Sequence, residues 1–223
     1  MVFEKLNGLT PELDQNANEA KRRLALLELC SPLRGKLQQR DPRDLARNAA
    51  MGITANPDGS LTMFGEQLLE TFSIKIPAYT VFDSKGQPAR LHSEMLWLHY
   101  LDRADGSPLS GRWVNLSEIG GLFYQQAFQG YCGDELAAAW GSDIEGLRQS
   151  CLASGGWPLN GLADLAFEWR ILPRLPLCLC YRLPTENKPA WATILFDAAA
   201  SHYVAADVAA IVGKELADRL KPS

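Results

Sequence analysis

One segment constrains the fold of this chain more than any other, because its helical pattern is apolar on nearly every side. The segment is residues 89–103, and its apolar positions are Leu91, Met95, Leu96, Trp97, Leu98, Tyr100 and Leu101. A helix with this pattern is normally enclosed by other elements. The rest of the chain must therefore supply a core, and with 223 residues, 47% of them hydrophobic, it is long and apolar enough to do so.

Strands are predicted in two parts of the chain. In the last third, apolar and polar residues alternate over 165–172, and two further apolar stretches follow after short connections, at 177–183 and 191–196. Short connections of this kind are typical of an antiparallel meander. Before the apolar helix, stretches rich in β-branched and aromatic residues are separated by turn residues, at 61–64, 71–76 and 79–82. These predict short strands of an antiparallel sheet.

Helices are predicted from cap residues and apolar spacing. Thr10-Pro11-Glu12 and Asp41-Pro42 carry residues favoured at helix starts. The first helix should end near Ser31-Pro32, because proline disfavours helical geometry in the residue before it. The second helix should reach Ala50. Later helices are expected at 134–140, at 143–153 and towards the end of the chain at 204–220.

Together these patterns predict an α+β fold. An antiparallel sheet, formed by early short strands plus a C-terminal three-stranded meander, packs with helices. Residues 1–40 are expected to form an N-terminal helical extension and residues 41–223 a single α+β domain. The apolar face of the first helix, within residues 11–30, is most simply buried on the chain's own core. It can also serve as a docking or dimer surface.

Charge and composition limit the classes of partner. The chain has 22 basic and 26 acidic residues, which gives a net charge of −4, and no long run of Lys or Arg. We therefore expect neither a nucleic-acid nor a membrane partner. The sequence has no signal-peptide pattern and no apolar stretch long enough to span a bilayer, so a cytoplasmic protein is expected. Five cysteines, an odd number, favour reduced thiols over a disulfide framework.

The common catalytic and metal-binding motifs do not occur in this sequence. Patterns for dinucleotides, phosphate loops, zinc proteases and serine hydrolases are missing, and the chain has only three histidines. His92 and His99 lie seven apart on the apolar helix, a spacing that favours packing over metal binding. Cys178 and Cys180 share a strand face, but without a second ligand pair their pattern favours core filling. We therefore predict no metal site, and the sequence identifies no cofactor.

The segment 111–128 is the main candidate for a ligand site. Its paired glycines allow backbone conformations closed to other residues and let a ligand approach closely. A cation and several aromatic rings accompany them, which is the mixture found in concave sites. The predicted ligand-binding residues are Arg112, Trp113, Gly120, Gly121, Tyr124 and Phe128. The aromatic residues can instead anchor the segment to the core, and the sequence does not decide between these roles.

A second candidate group follows the last predicted strand. Asp197, His202 and Tyr203 bring an acid, an imidazole and a phenol within seven residues, and such groups can do general acid–base work. Cys132 can join them if the fold brings it near. The simpler interpretation is that Asp197 caps a helical turn and that Tyr203 packs with its hydroxyl at the surface.

A succession of short motifs runs through most of the chain. The motifs are Asp41-Pro42 with Ala46, Leu98-His99-Tyr100-Leu101, Gly111-Arg112-Trp113-Val114 with Glu118, Gly120-Gly121, Tyr124 and Phe128, Leu172-Pro173-Arg174-Leu175-Pro176-Leu177, and Leu195-Phe196-Asp197 with His202-Tyr203. In this order, over roughly residues 40–220, they resemble the DUF3786 family of uncharacterised proteins from anaerobic bacteria and archaea. The resemblance rests on the succession of motifs, since none of them is specific by itself.

The resemblance implies no established activity. Some members are similar in carrying a cysteine-rich iron–sulfur domain of the kind seen in corrinoid proteins, which implies a link to that redox chemistry. This chain departs from the arrangement, because its five cysteines are dispersed. It also has Pro184-Thr185-Glu186-Asn187-Lys188 where the family has Gly-Asp-Glu-Glu, and Ile119 where the family has proline before the paired glycines. Any ligand contact made by those family residues is lost here.

The function expected from these observations is a non-catalytic ligand-binding or accessory protein. Its partner would be a small molecule or a protein, and its site the segment 111–128. One alternative is an enzyme of unrecognised type that uses His202, Asp197 or Cys132. The other is a protein-docking or scaffold module that uses residues 11–30. The sequence leaves the oligomeric state open.

Overall fold

The computed structural model of this chain describes residues 30–120 and 125–222. The described residues form two compact units. The first extends to Ser107 and includes His202–Val204, and the second comprises the other described residues from Pro108 onward. Each unit contains one antiparallel sheet packed with helices. The predicted α+β class is therefore confirmed.

The sheet of the first unit has four strands in sequence order. They are β1 (Gly52–Ala55), β2 (Leu61–Gln67), β3 (Glu70–Ile76) and β4 (Thr80–Phe82). Met63, Ile74 and Val81 lie side by side in register across β2, β3 and β4, and all three are fully buried. This row of apolar side chains fixes the register, since a one-residue slip would turn each of them to the other face.

The helices of the first unit pack on that sheet. Residues 30–37 are helical, α1 is Pro42–Asn48, and α2 is Leu91–Arg103. The indole ring of Trp97, on α2, lies over Gly65 of β2, where a Cβ atom would come within 2.5 Å of the ring. Leu91 is partly buried, and the other apolar residues of α2 are buried, as its sequence predicts.

The sheet of the second unit has five strands in the order β5-β9-β8-β7-β6. The strands are β5 (Trp113–Val114), β6 (Trp157–Pro158), β7 (Leu165–Leu172), β8 (Leu175–Arg182) and β9 (Trp191–Asp197). The three long strands are the predicted C-terminal meander, which is therefore confirmed. The two-residue strands β5 and β6 extend it at its edges.

Four α-helices and shorter helical turns complete the described part of the second unit. The α-helices are α3 (Gln125–Phe128), α4 (Glu135–Trp140), α5 (Ile144–Ala153) and α6 (Ala206–Leu220). The carbonyl of Leu220 accepts hydrogen bonds from the Trp140 indole at 2.9 Å and the Ser150 hydroxyl at 3.1 Å. These bonds fasten the end of α6 to α4 and α5.

The observed helix boundaries agree with some of the predicted starts and ends and differ from others. Asp41 caps α1 and accepts a hydrogen bond from the Arg43 N–H at 2.8 Å, and Asp143 caps α5 in the same way. The predicted end near Ser31-Pro32 is wrong, because residues 30–37 are helical. Leu33 and Leu37 are buried on that stretch, so tertiary packing outweighs the local bias before proline. The predicted docking helix within residues 11–30 lies almost entirely outside the described residues.

Among residues 30–120 and 125–222, none of the helices combines the length and the apolar character needed to span a bilayer.

Candidate functional site

Asp197, the last residue of β9, holds the start of the segment 111–128. Its side chain is almost fully buried, with 2% of the residue exposed. One carboxylate oxygen accepts from the Ser110 N–H at 3.0 Å and the Ser110 hydroxyl at 2.9 Å, and the other accepts from the Gly111 N–H at 2.8 Å. The Ala199 N–H donates a further bond at 2.8 Å, which confirms the predicted role of Asp197 as a cap. Both carboxylate oxygens are thus satisfied by donors of the protein itself.

The ionisation of Asp197 follows from these contacts. Burial by itself raises the pKa of its carboxyl, but the hydrogen bonds from Ser110, Ala199 and Gly111 favour the charged form and outweigh that effect. The pKa therefore lies below its usual value, and the carboxylate is charged at neutral pH. A buried charge satisfied by four donors is suited to holding a loop and poorly suited to exchanging protons.

Two of the predicted ligand residues begin the segment with very different exposure. The Arg112 guanidinium, 66% exposed, bonds to the Glu118 carboxylate at 3.1 Å. Trp113 pairs in register with Asp197 and is half-buried against a small apolar cluster that includes Cys178 and Leu195. The arginine thus faces solvent, while the tryptophan attaches the segment to the sheet.

The middle of the segment begins with a single turn of 3-10 helix, Leu116–Ile119. Gly120 follows it with a φ of 98°, a left-handed conformation that favours glycine. The backbone conformation therefore explains why glycine occupies this position. Gly121 and Tyr124, also predicted to bind ligand, lie outside the described residues.

Phe128, the last predicted ligand residue, lies in the core of the second unit. It is 1% exposed, and its ring centroid is 5.7 Å from that of Phe196 and 5.8 Å from that of Tyr131. On α6, Gly213 makes room for this ring, since a Cβ atom there would lie 2.6 Å from it. Phe128 therefore supports the base of the segment.

A π-helix, Gln129–Asp134, follows the segment directly and joins α3 to α4. The Gln129 side-chain amide donates to the Asp134 carboxylate at 2.8 Å and to the Ala192 carbonyl of β9 at 2.9 Å. Gly133 lies so close to β9 that a Cβ atom there would collide with the same carbonyl. π-Turns are rare and occur frequently at functional sites. This element is not predicted by the sequence, in which its only signal is the pair Gly130 and Gly133.

Cys132 lies within the π-helix and is fully buried. Burial raises the pKa of its thiol far above the usual range. Since the thiolate is the reactive form, Cys132 is not activated as a nucleophile in this state.

His202 and Tyr203 belong to the first unit and form a cluster with the Asp105-Gly106-Ser107 turn. The Nδ1 atom of His202 lies 2.6 Å from an Asp105 carboxylate oxygen and 3.2 Å from the Ser107 hydroxyl. Tyr203 is fully buried, and its hydroxyl donates to the Ser107 carbonyl. Hydrogen bonds from the Ser107 backbone and from His202 lower the pKa of Asp105 to about 2. Asp197, which the sequence grouped with His202 and Tyr203, bonds instead to Ser110, Gly111 and Ala199.

Asp105 and Ser107 are the residues of this cluster that sequence reasoning missed. The available signal was the composition Asp-Gly-Ser, which is typical of a turn in which the Asp side chain accepts a backbone bond. The Ser107 N–H makes that bond to Asp105 at 2.9 Å.

A comparison with protein families identifies the relationship that the motifs suggested. A family model described as a domain of unknown function, DUF3786, matches residues 41–219. The chain belongs to the DUF3786 family. The matched region includes all the described residues of the candidate site and contains residues of both units of this DUF3786 protein. Comparisons with curated proteins and with solved structures gave no match.

Within residues 30–120 and 125–222, no cluster of three or more His, Cys, Asp or Glu side chains has the arrangement to hold a metal ion. All five cysteines are buried as free thiols, at positions 30, 132, 151, 178 and 180.

Proposed function

We propose that this protein is a non-catalytic ligand-binding or accessory protein and that the segment 111–128 forms its binding site. The observation that carries the proposal is the π-helix Gln129–Asp134, which begins where the segment ends. A π-helical turn is rare, and such turns occur frequently at functional sites.

The anchoring of the segment supports a binding role. Asp197 holds its first residues from one side, and the buried ring of Phe128 holds its last residue. A segment fixed at both ends loses less conformational entropy when it captures a ligand. In this proposal Asp197 and Phe128 position the site and do not touch the ligand.

The chemistry of the site favours a ligand with an anionic group and a flat, partly apolar body. The exposed Arg112 guanidinium offers a planar set of donors, and Glu118 orients it. Trp113 is only half-buried, so part of its ring is available to a ligand. Gly120, Gly121 and Tyr124 complete the proposed site. A corrinoid carries amide or carboxylate arms on a flat macrocycle, so we propose that the protein works beside a corrinoid or iron–sulfur redox system.

The first experiment identifies the ligand. Protein purified without oxygen from a corrinoid-producing anaerobe is examined by native mass spectrometry and visible absorption. A co-purifying mass with a corrinoid spectrum is the expected result. If the protein emerges free of any bound mass and does not bind added cobalamin, the corrinoid assignment is wrong.

The second experiment locates the site. Arg112→Ala should weaken cobalamin binding by tenfold or more, which corresponds to about 1.4 kcal/mol. Arg148→Ala is the matched control, because Arg148 forms a similar exposed ion pair with Glu145 at 3.2 Å in the same unit. The proposed site is refuted if cobalamin binds equally well to both variants and to the wild-type protein.

A second candidate function, an enzyme, is favoured by the contact between Asp105 and His202. An ionised carboxylate bonded to Nδ1 fixes the ring and its tautomer, which is how a histidine is prepared to act as a general base through Nε2. Of the residues named from the sequence, His202 suits this role best. Cys132 is buried and Asp197 is committed to the loop.

The enzyme candidate is tested with a panel of ester and phosphate-ester substrates. Turnover that falls at least about a hundredfold in His202→Ala, with unchanged thermal stability, would support it. The same turnover in His202→Ala and wild type would show that the activity does not depend on this residue, and the candidate would be abandoned.

A further inference from the structure

The two sheets have four outer edges in all, and three of them are protected against pairing with another strand. In the first sheet, Pro88 forms an antiparallel bridge with Phe82 of β4. The Ala89 N–H donates to the Val81 carbonyl of the same strand at 2.9 Å, so the chain itself covers that edge. In the second sheet, the edge strands β5 and β6 are only two residues long, and β6 contains Pro158. Short edge strands and prolines prevent edge-to-edge association.

The fourth edge, formed by β1, has neither of these protections. Its sequence is Gly-Ile-Thr-Ala, without a charged residue or a proline, and its unbroken register with β2 leaves no bulge. Of the segments that the structure describes, only β2 pairs with β1. Gly52, Thr54 and Ala55 are exposed, and Ile53 is half-buried. An unprotected edge of this kind is a template for a further strand.

The hydrogen bonds of the hairpin show which backbone groups of β1 point away from β2. The Asn56 N–H donates to the Ser60 carbonyl at 2.8 Å, so these two residues form a hydrogen-bonded pair. Such pairs alternate with non-bonded pairs along an antiparallel ladder. Counting back from Asn56, Thr54 therefore bonds to β2, whereas Ile53 and Ala55 direct both their N–H and their C=O groups to the open edge. Each of these two residues offers one donor and one acceptor there.

A second copy of the same strand fits these groups. In an antiparallel pairing about a two-fold axis at Thr54, Ile53 of each copy lies opposite Ala55 of the other, and all the outward donors and acceptors are used. An axis at Ile53 uses fewer of them, because Ala55 then faces Met51, whose N–H is already bonded to the Ala46 carbonyl at 2.8 Å. The axis at Thr54 also places this residue beside its own copy, and paired threonines stabilise adjacent strands.

Charge complementarity favours the same antiparallel arrangement. The charged residue nearest to β1 on its N-terminal side is Arg47, whose side chain is 72% exposed, and the nearest on its C-terminal side is the exposed Asp58. Antiparallel pairing brings the basic end of each strand beside the acidic end of the other, and the two-fold axis makes this contact twice. Arg47 already bonds to Asp44 at 2.8 Å, so we expect the charges to contribute less than the backbone bonds.

We propose that β1 is an interface between two copies of this chain, in which their four-stranded sheets join into one continuous antiparallel sheet. Ile53 and Ala55 of each copy supply the hydrogen bonds. Because the strand is short, the interface is small and the association is reversible and depends on concentration. The interface lies in the first unit and contains no residue of the segment 111–128, so it goes beyond the proposed ligand-binding function.

The first test is sedimentation equilibrium of the full chain between about 1 μM and about 1 mM, a range that covers weak association. The wild-type protein should pass from the 24.6 kDa monomer to a species of twice that mass. Ala55→Pro removes an outward N–H but no bond to β2, so it should weaken the dimer at least about tenfold. Ala55→Ser is the matched control, because it keeps the N–H and should dimerise as the wild type does. A folded Ala55→Pro variant that dimerises like the wild type would overturn the proposal.

Hydrogen exchange of single amides in the wild-type protein keeps the test decisive if Ala55→Pro fails to fold. The amides of Ile53 and Ala55 should gain protection as the protein concentration rises, whereas that of Thr54 should be protected at every concentration. A chain that stays monomeric, or a dimer in which the first two amides do not respond to concentration, would show that β1 is not the interface. Protection of these two amides in the monomer would also refute the proposal, because the edge would then be covered within one chain.

An exchange of charges tests the direction of the pairing. Arg47→Glu and Asp58→Lys should each weaken the dimer about threefold, and the combined variant should regain the wild-type affinity because the ion pair forms again with its signs reversed. If the combined variant dimerises less well than either single variant, the strands do not pair in the antiparallel sense and the proposed pairing is wrong. Arg112→Ala should dimerise as the wild type does, which distinguishes this interface from the proposed ligand site.

Discussion

Two aspartates of this molecule have similar bonds and opposite surroundings. Asp197 and Asp105 each accept a backbone N–H and at least one side-chain donor, and in each the hydrogen bonds lower the carboxyl pKa. Asp197 is 2% exposed, whereas the Asp105 side chain is 49% exposed. Hydrogen-bond chemistry alone therefore does not tell a structural acid from a reactive one. Burial makes the difference, because water replaces the partners of Asp105 readily and those of Asp197 only when the loop opens.

The largest expected effect follows from removing the buried charge. Asp197→Asn keeps the size of the side chain but replaces one accepting oxygen with an NH₂ group. Because the NH₂ group is itself a donor, it cannot accept hydrogen bonds from the surrounding N–H and O–H groups. The N–H groups of Ser110, Gly111 or Ala199 then lose partners, and we expect a loss of about 3 kcal/mol in the free energy of unfolding. Urea denaturation followed by circular dichroism measures it. If the loss is no greater than that caused by Asp105→Asn, the difference in burial between the two aspartates does not affect the free energy of unfolding.

The pH dependence of stability should come next in size. The folded-state pKa of Asp197 lies below its unfolded value, so the unfolded chain binds the proton more readily. The contribution of this group is therefore complete above the unfolded pKa of about 3.9 and is lost as the pH falls through the lower folded value. Urea midpoints of the wild type should fall over that window, and those of Asp197→Asn should fall less. A steeper fall in the variant would mean that the sign is wrong.

The exposed cluster should contribute much less to stability. Asp105→Asn and His202→Ala, alone and combined, form a double-mutant cycle for the contact between the two side chains. Because both are about half exposed, we expect a coupling energy below about 1 kcal/mol. Thermal denaturation at low and high salt tests this, since a screened surface pair weakens as salt rises. A coupling energy of several kcal/mol would show that the contact between Asp105 and His202 contributes to stability as strongly as the buried Asp197 does.

The smallest effect on stability is expected at Arg112. Arg112→Ala removes an exposed ion pair from the start of the segment, and Arg148→Ala removes its counterpart on α5. Both should change the free energy of unfolding by less than about 0.5 kcal/mol. Equal, small effects in urea denaturation would show that Asp197, and not the exposed arginine, holds the loop in place. A large loss in Arg112→Ala alone would reverse that assignment.

Much of the fold could be predicted because its signals are local. The cap residues Asp41 and Asp143 mark their helices, the apolar residues of α2 predict its burial, and the alternation over 165–172 predicts the meander. What the sequence did not reveal depends on partners far along the chain. β5 and β6 are two residues long and exist only through pairing with β9 and β7. That residues 41–223 behave as a single domain stays a prediction.

The candidate site was predictable only in part, for the same physical reason. Composition indicates Arg112 and Trp113, and the order of residues indicates Asp197 as a cap. The bonds from Ser110 and Gly111 to Asp197 span 87 and 86 residues, so no local rule reveals them. The π-helix was missed because its stabilising contact, between Gln129 and the Ala192 carbonyl, is also distant in sequence.

The π-helix gives the chain one position whose loss we expect to leave the fold unchanged. A π-turn closes its hydrogen bond one residue further along than an α-turn does, so it holds one residue more. Gly130 lies in this turn, and open space surrounds the position of its absent Cβ. If Gly130 were deleted, the turn could close as a regular helix while Phe128 and Leu136 kept their buried faces. A deletion disrupts most helices, but deletion of Gly130 is expected to remove the π-turn while the rest of the fold is kept.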